Sequence, residues 1–217
     1  MGRTPESAGG LRADARRNHE QVLAAAREAF VEAGPGVPLE DVARRAGVGI
    51  ATLYRRFGDR EGLLRAVVMA ALEDSRAAAE AALENADEGA DGLQALARYM
   101  HAVLDLRVSA VVPLALDRLD LEDPEIAPVR EASAAAMERL LQTAHDDGSL
   151  PRQVGFADIG TLLVRLSRPL PGRVPTALDD ELAHRSLELA LAGMRSTPGV
   201  LPEKGLSRSE LRAARDR

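Results

Sequence analysis

Apolar residues recur along most of this 217-residue chain with the spacing of an α-helix, and no segment alternates convincingly with a period of two. Val22, Ala26, Ala29 and Phe30, for example, share one side of a helix that ends before Gly34-Pro35-Gly36. The chain is therefore predicted to be all-α, with about nine helices. After the first helix, the pattern predicts further helices at 39–46, 50–57, from about 59 onward, and at 90–106, 108–120, 124–147, 156–168 and 178–196.

Two of these helices are short and are joined only by Gly47-Val48-Gly49. Their length and the glycine-containing turn are typical of a helix-turn-helix. A phosphate-binding glycine loop is disfavoured, because it needs a preceding strand and either a third glycine or a Gly-Lys-Ser/Thr sequence. Here Thr52 takes the third glycine position, and the only lysine is Lys204.

The second of the two short helices has two different sides. At about 100° per residue, its apolar side carries Ile50, Leu53, Tyr54 and Phe57. Its opposite side carries Ala51, Thr52, Arg55 and Arg56. Arginine can bind guanine edges in a major groove, and alanine or threonine methyl groups can contact thymine. The pattern favours DNA recognition over the alternative of a merely solvated face.

The distribution of charge agrees with this interpretation. The whole chain has a formal charge of −6, which is unusual for a DNA-binding protein. Residues 1–60, however, hold ten arginines and eight acidic residues, whereas residues 61–217 hold 18 basic and 26 acidic residues. The N-terminal part is therefore the region suited to a polyanion. The low aromatic content of 2% disfavours a single-strand binder that stacks bases.

The segment from Leu39 to Phe57, LEDVARRAGVGIATLYRRF, followed by GDREGLL, resembles the signature of the TetR family of repressors. The resemblance implies a helix-turn-helix domain at 14–60 and a larger helical effector-binding and dimerisation domain at 61–197. A flexible arm at 1–13 and a C-terminal tail at 198–217 would flank them. Gly49 and Pro38 depart from the capping serine or threonine that is common in the family.

The resemblance also implies DNA contacts. Thr52 and Tyr54 would touch the backbone or bases, and Arg60 would hold a phosphate near a helix N-terminus, where anions are favoured. Tyr54 has an alternative role at the edge of the core. Arg44 and Arg45 lie off the apolar stripe of their helix, so they could bind phosphates or face water. The candidate DNA-binding residues are thus Arg44, Arg45, Ala51, Thr52, Tyr54, Arg55, Arg56 and Arg60.

The last long helix is apolar on both sides, which requires a partner on each side. One stripe contains Ala183, Leu187, Ala190, Leu191 and Met194, and the other contains Leu178, Leu182 and Leu189. The helix at 156–168 adds Ile159, Leu162, Leu163 and Leu166. Two helices from each subunit would form a four-helix interface, as in TetR-like proteins, so a homodimer is predicted. Alternatively, the tail could cover the extra leucines.

The remaining expectations concern ligands and function. The family resemblance implies a small-molecule effector, for which His101 and Met137 are candidate pocket residues, although both could be ordinary core-edge residues. The histidine spacing predicts no metal site, and no cofactor motif is present. The absence of cysteine suits the cytoplasm, and no apolar run is long enough to span a membrane. The sequence favours a ligand-responsive repressor of a palindromic DNA operator. An enzyme on an all-α scaffold and a ligand-independent DNA binder or activator are the alternatives.

Overall fold

The computed structural model describes residues 6–84, 89–115, 118–172, 174–196, 205 and 207–215. These residues form α-helices and no strand, which confirms the predicted all-α class. The ten helices are α1 (Glu6–Ala33), α2 (Leu39–Arg45), α3 (Ile50–Phe57), α4 (Arg60–Glu84), α5 (Gly92–Asp105), α6 (Val108–Ala115), α7 (Ile126–Asp146), α8 (Phe156–Leu166), α9 (Thr176–Ser196) and α10 (Arg208–Arg215). None of the helices in this described part is long and apolar enough to cross a membrane.

The two chain ends differ from the sequence expectation. Helix α1 begins at Glu6, so residues 6–13 of the expected flexible arm continue the helix, and residues 1–5 lie outside the described residues. Helix α10 lies within the expected tail, of which 198–204, 206 and 216–217 are also outside the described residues. A capping box starts α10: the Ser207 backbone N–H donates to Glu210 at 2.8 Å, and the Glu210 N–H donates to the Ser207 hydroxyl at 3.3 Å.

The N-terminal helices pack around a small apolar core. Phe30, Val42 and Leu53 come from α1, α2 and α3 and are fully buried together with Leu64 of α4. The turn between α2 and α3 needs a left-handed residue, which Gly47 supplies with φ 68°. This core fixes the angle between the two short helices, so the helix-turn-helix is held by its contacts with α1 and α4.

Helix α4 continues from this unit into the larger C-terminal bundle, where it packs on α5, α6 and α7. Leu96, Met100, Val111 and Leu140 are fully buried in that bundle. A buried hydrogen bond of 3.1 Å joins the Ser75 and Tyr99 hydroxyls between α4 and α5. Burial raises the pKa of the Tyr99 hydroxyl, although the bond to Ser75 opposes the shift.

Polar contacts also join the two units. The largely buried guanidinium of Arg27, on α1, donates to Asp74 of α4 at 2.7 Å and to the carbonyl oxygen of Leu106, after α5, at 2.9 Å. Arg65, near the start of α4, pairs with Asp123 in the segment before α7 at 2.9 Å. The helix-turn-helix is therefore tied to the larger bundle through α1 and α4.

Candidate DNA-binding and dimerisation surfaces

Helix α3 packs by its apolar side and leaves its basic side exposed. Leu53 is fully buried, and Ile50 and Phe57 are half-buried against the core. On the other side, Ala51, Arg55 and Arg56 are exposed and Thr52 is half-exposed, as the helical spacing indicates. Tyr54 differs from its predicted place on the packed side. Its side chain is 45% exposed, so the ring adds to the outward surface.

The ends of α3 explain how this short helix is held. Gly49 at its start and Pro38 before α2 provide no side-chain cap, in agreement with the departures seen in the sequence. Gly58 closes α3 with φ 78°. The next helix starts so close to it that a Cβ at Gly62 would overlap the Phe57 carbonyl oxygen. These two glycines permit the sharp α3–α4 corner.

His19 of α1 also positions α3, and this contact was not predicted from the sequence. Its ring stacks on Phe57, with 5.4 Å between the ring centroids and 14° between the ring planes. Burial lowers the pKa of His19, and the nearby Arg56 charge lowers it further, although Glu20 opposes the shift. The neutral ring therefore fits this site. A lone histidine without a recognisable motif gave no sequence signal for this contact.

The two arginines of α2 occupy different environments. Arg45 pairs with Glu32 of α1 at 2.8 Å and lies 3.8 Å from Glu28, and the bond to Glu32 raises its pKa. Arg44 is more exposed and pairs with Asp41 of its own helix at 2.8 Å. Such an exposed pair contributes only about 0–1 kcal/mol, so it can open readily. Arg44 is thus the more available of the two for a phosphate.

Arg60 lies at the start of α4, as expected, but it already binds protein atoms. Its Nη1 donates to the carbonyl oxygen of Pro35 at 3.0 Å and also to that of Val37. Both carbonyl groups belong to the connection between α1 and α2. Arg60 therefore stabilises the helix-turn-helix directly, and the phosphate contact remains a prediction.

The predicted dimerisation residues fall into two groups. On α9, Leu187 and Leu191 are buried, whereas Leu178, Leu182 and Leu189 are 46%, 38% and 67% exposed. On α8, Leu162 and Leu166 are half-buried. Ile159 and Leu163 are at most 2% exposed and belong to the protomer core. Both side chains therefore pack within their own protomer, and a contact of either one with a partner stays a prediction.

The tail does not cover the exposed leucines of α9 within the described residues. Helix α10 packs on α8 instead. Arg208 pairs with Glu131 of α7 at 2.5 Å and lies over the Phe156 ring, with 6.0 Å from the guanidinium carbon to the ring centroid. The exposed leucines of α9 therefore form one surface, the α9 leucine face, made of Leu178, Leu182 and Leu189.

The two candidate effector residues are not brought together. Met137 of α7 is buried in the core. His101 of α5 lines an open groove of about 840 Å³ between α5 and α9. Arg98, Glu188 and Arg195 add charged groups to this groove, and Leu93 and Leu191 are among its apolar residues. The groove was not visible in the sequence, since it depends on how α9 packs across α5.

A short, outward basic helix held in a helix-turn-helix and followed by a larger helical domain defines a DNA-binding transcription regulator. Residues 22–67 match the family model described as bacterial regulatory proteins, tetR family. A TetR transcription regulatory protein from Mycobacterium vanbaalenii has 31% identity and a TM-score of 0.59, over 85% of this chain and 99% of the other. The chain belongs to the TetR family.

Two further solved structures are similar. The TetR transcriptional regulator SCO0520 from Streptomyces coelicolor has 26% identity and a TM-score of 0.59, over 82% of this chain and 99% of its own. LfrR from Mycobacterium smegmatis, solved in complex with proflavine, has 25% identity and a TM-score of 0.60, over 81% and 96% of the two chains. No curated protein sequence matched this chain.

Proposed function

We propose that this protein is a cytoplasmic, ligand-responsive repressor that binds a palindromic DNA operator as a homodimer. The outward face of α3 carries the proposal. Arg55 is exposed at its centre, and Ala51 and Arg56 flank it. Helices of this kind read base edges in the major groove. TetR-family regulators are generally not enzymes, which disfavours a catalyst on this scaffold.

The α9 leucine face supports the homodimer. Three large apolar side chains at i, i+4 and i+11 lie on the same side of α9, and apolar faces of this kind are typical of helices that pack on a partner. The half-buried Leu162 and Leu166 of α8 would extend the stripe. A second copy of the chain would bury these side chains. The resulting dimer would position two α3 helices so that each can enter one of two successive major grooves of the DNA.

Two observations support the proposed response to a small molecule: a similar protein was solved with a ligand, and this chain has an open groove between α5 and α9. LfrR was solved with proflavine, so a relative of similar length holds a small molecule in its complex. In this chain, His101 and the α5–α9 groove are the proposed surroundings of a ligand. A DNA binder without a ligand, or an activator, would share the α3 surface but would not respond to a small molecule.

A gel-shift assay on the DNA that flanks its own coding region tests the DNA-binding proposal. Wild-type protein should shift this DNA in the presence of excess non-specific competitor, and Arg55→Ala should need a higher protein concentration to shift it. Arg152→Ala is the matched control, because Arg152 is an exposed arginine far from α3 that pairs with Asp146. Equal loss in both variants would contradict the role of α3. Release by candidate small molecules would then separate a ligand-responsive repressor from a ligand-independent binder.

A further inference from the structure

Four titratable side chains form a chain across the contact between α5 and α9. His101 Nε2 lies 2.7 Å from Glu188 Oε1, and His184 Nε2 lies 2.9 Å from Asp105 Oδ1. The two rings face each other through Nδ1 atoms that are 2.7 Å apart. The ring planes are within 8° of parallel. Each helix therefore supplies one histidine and the carboxylate that contacts the histidine ring of the other helix.

The number of protons in this chain is unusual. An ionised carboxylate only accepts hydrogen bonds, so the Nε2 atom of each ring must carry a proton. A neutral imidazole has only one N–H group, and both Nδ1 atoms would then be acceptors facing each other. Three hydrogen bonds require three protons, whereas two neutral rings provide two. The observed geometry is therefore satisfied when the pair carries one additional proton and one positive charge.

The length of the central contact favours a proton over a metal ion. A tetrahedral zinc ion holds two nitrogen ligands at about 2.0–2.1 Å each, which separates those nitrogens by roughly 3.3 Å. The Nδ1 atoms here are only 2.7 Å apart, the length of a hydrogen bond. A shared proton fits this distance without any movement of the rings.

The surrounding charges also favour the additional proton. Arg107, on the α5–α6 connection, pairs with Asp180 at 2.7 Å, and Arg195 of α9 pairs with Asp91 at 2.6 Å. Arg98 of α5 donates to the Ala82 carbonyl oxygen at 3.2 Å. Helix α8 contributes Leu166 and, just beyond its end, Ser167 to this side. The charged groups around the rings are the carboxylates Asp91, Asp105, Asp179, Asp180 and Glu188 and the guanidiniums Arg98, Arg107 and Arg195. The carboxylates outnumber the guanidiniums, so a positive charge on the histidine pair is stabilised.

We propose that His101 and His184 are a proton-operated clasp between α5 and α9. The clasp is complete when the pair holds one additional proton. Loss of that proton at alkaline pH leaves two Nδ1 lone pairs opposed, and gain of a second proton at acid pH opposes two N–H groups. The clasp therefore tightens the α5–α9 contact while the pair holds one additional proton, and it loosens when that proton is lost or a second one is gained.

A consequence for assembly rests on the proposed function. Because α9 also carries the α9 leucine face, a looser α5–α9 contact would weaken the homodimer and hence operator binding. The clasp itself is tested on the folded chain without DNA, so its failure and the failure of the proposed function are distinguishable.

Nitrogen NMR of the four histidine rings against pH, recorded before and after the addition of EDTA, tests the proton count directly. His101 and His184 should titrate in two separate steps, with a plateau at which the pair holds three ring protons. His145 is an internal control, because its Nε2 atom bonds the Val154 carbonyl oxygen instead of another histidine ring. A single step in which both rings take up protons together would overturn the proposal. Loss of the paired signals on addition of EDTA would also overturn it, since a metal ion would then join the rings.

Asp105→Asn provides a second test. An asparagine amide can donate to His184 Nε2, so the ring proton can move to Nδ1 and the pair is satisfied while neutral. The variant should lose the charged plateau. Its urea unfolding midpoint should fall less than that of wild type as the pH is raised and the wild-type pair loses its additional proton. Asp146→Asn, which removes an exposed carboxylate elsewhere, should behave as wild type. Equal alkaline loss in Asp105→Asn and wild type would contradict the clasp.

Discussion

Helices α3 and α9 each expose one face to solvent in the protomer, but the two faces differ in chemistry. The exposed face of α3 carries Arg55 and Arg56, whereas that of α9 carries three leucines. An exposed basic face is stable in water and suits a polyanion. An exposed leucine stripe is favourable only when another apolar surface covers it. We therefore propose that α3 binds DNA and that α9 pairs with a second copy of the chain.

The largest expected effect comes from charging the α9 leucine face. Leu182→Glu with Leu189→Glu should give monomers at micromolar concentration in sedimentation, because two carboxylates would be buried without partners. Operator affinity should fall to the level of non-specific binding, roughly a thousandfold or more. Leu170→Glu is the control, since Leu170 is also exposed but lies outside the stripe. A double variant that remains a dimer would show that the α9 leucine face is not the dimer interface.

A smaller effect is expected from alanine substitutions on α8, which distinguish a leucine of the protomer core from a leucine of the proposed dimer interface. Leu163 is 2% exposed within the protomer, so Leu163→Ala should lower the free energy of unfolding by about 2–5 kcal/mol. Its half-buried neighbour Leu162, changed to alanine, should affect dimerisation more than unfolding. Chemical denaturation and sedimentation of the two variants measure this difference. Comparable unfolding losses would show that both leucines serve the core.

Alanine substitutions of Arg55 and Arg60 should change different properties of the protein. Arg55→Ala should cost about 1–3 kcal/mol of binding and relax base preference at one or two symmetric positions, with little change in stability. Arg60→Ala should leave the base preference intact and reduce the salt dependence of binding. It should also destabilise the fold by about 1–3 kcal/mol, since the Pro35 and Val37 carbonyl groups lose a charged donor. Identical changes in preference and stability would contradict these roles.

The smallest expected effect concerns His19. Because its pKa is lowered in the folded protein, the unfolded chain binds the proton more readily. The stability that depends on the neutral ring is complete above the unfolded value of about 6.5 and is lost as the pH falls through the folded value. His19→Phe keeps a ring against Phe57 and should be less sensitive to acid than wild type in urea unfolding between about pH 7 and pH 5. Equal acid sensitivity would exclude His19 as the cause.

The sequence predicted most of the α3 region, because its contacts are local. The spacing of Leu53 and Phe57 and the two glycines determine the packed side of a short helix. Arg60 was placed correctly on α4, but its bonds to the α1–α2 connection depend on a tertiary approach that spacing does not encode. Tyr54 lay at the edge of its stripe, where a small rotation decides between core and surface.

The α8–α9 region was less predictable, since two apolar faces on one helix do not reveal which face packs inward. Ile159 and Leu163 were assigned to a partner for this reason. The His101–His184 contact joins residues 83 positions apart, and neither histidine has a local motif. Helix α10, by contrast, had a local signal in Ser207 and Glu210. These residues form a capping box, which an apolar spacing pattern does not reveal.

Selection of bound duplexes from random DNA tests most directly whether α3 binds DNA within a dimer formed through α9. A homodimer formed through α9 presents two copies of α3, so the selected sequences should be near-palindromic. Their half-sites should be centred about one helical turn apart, roughly 34–36 Å, or a multiple of this distance. Enriched sequences without a dyad, or no enrichment at all, would contradict the assignment of α3 to DNA and of α9 to the dimer.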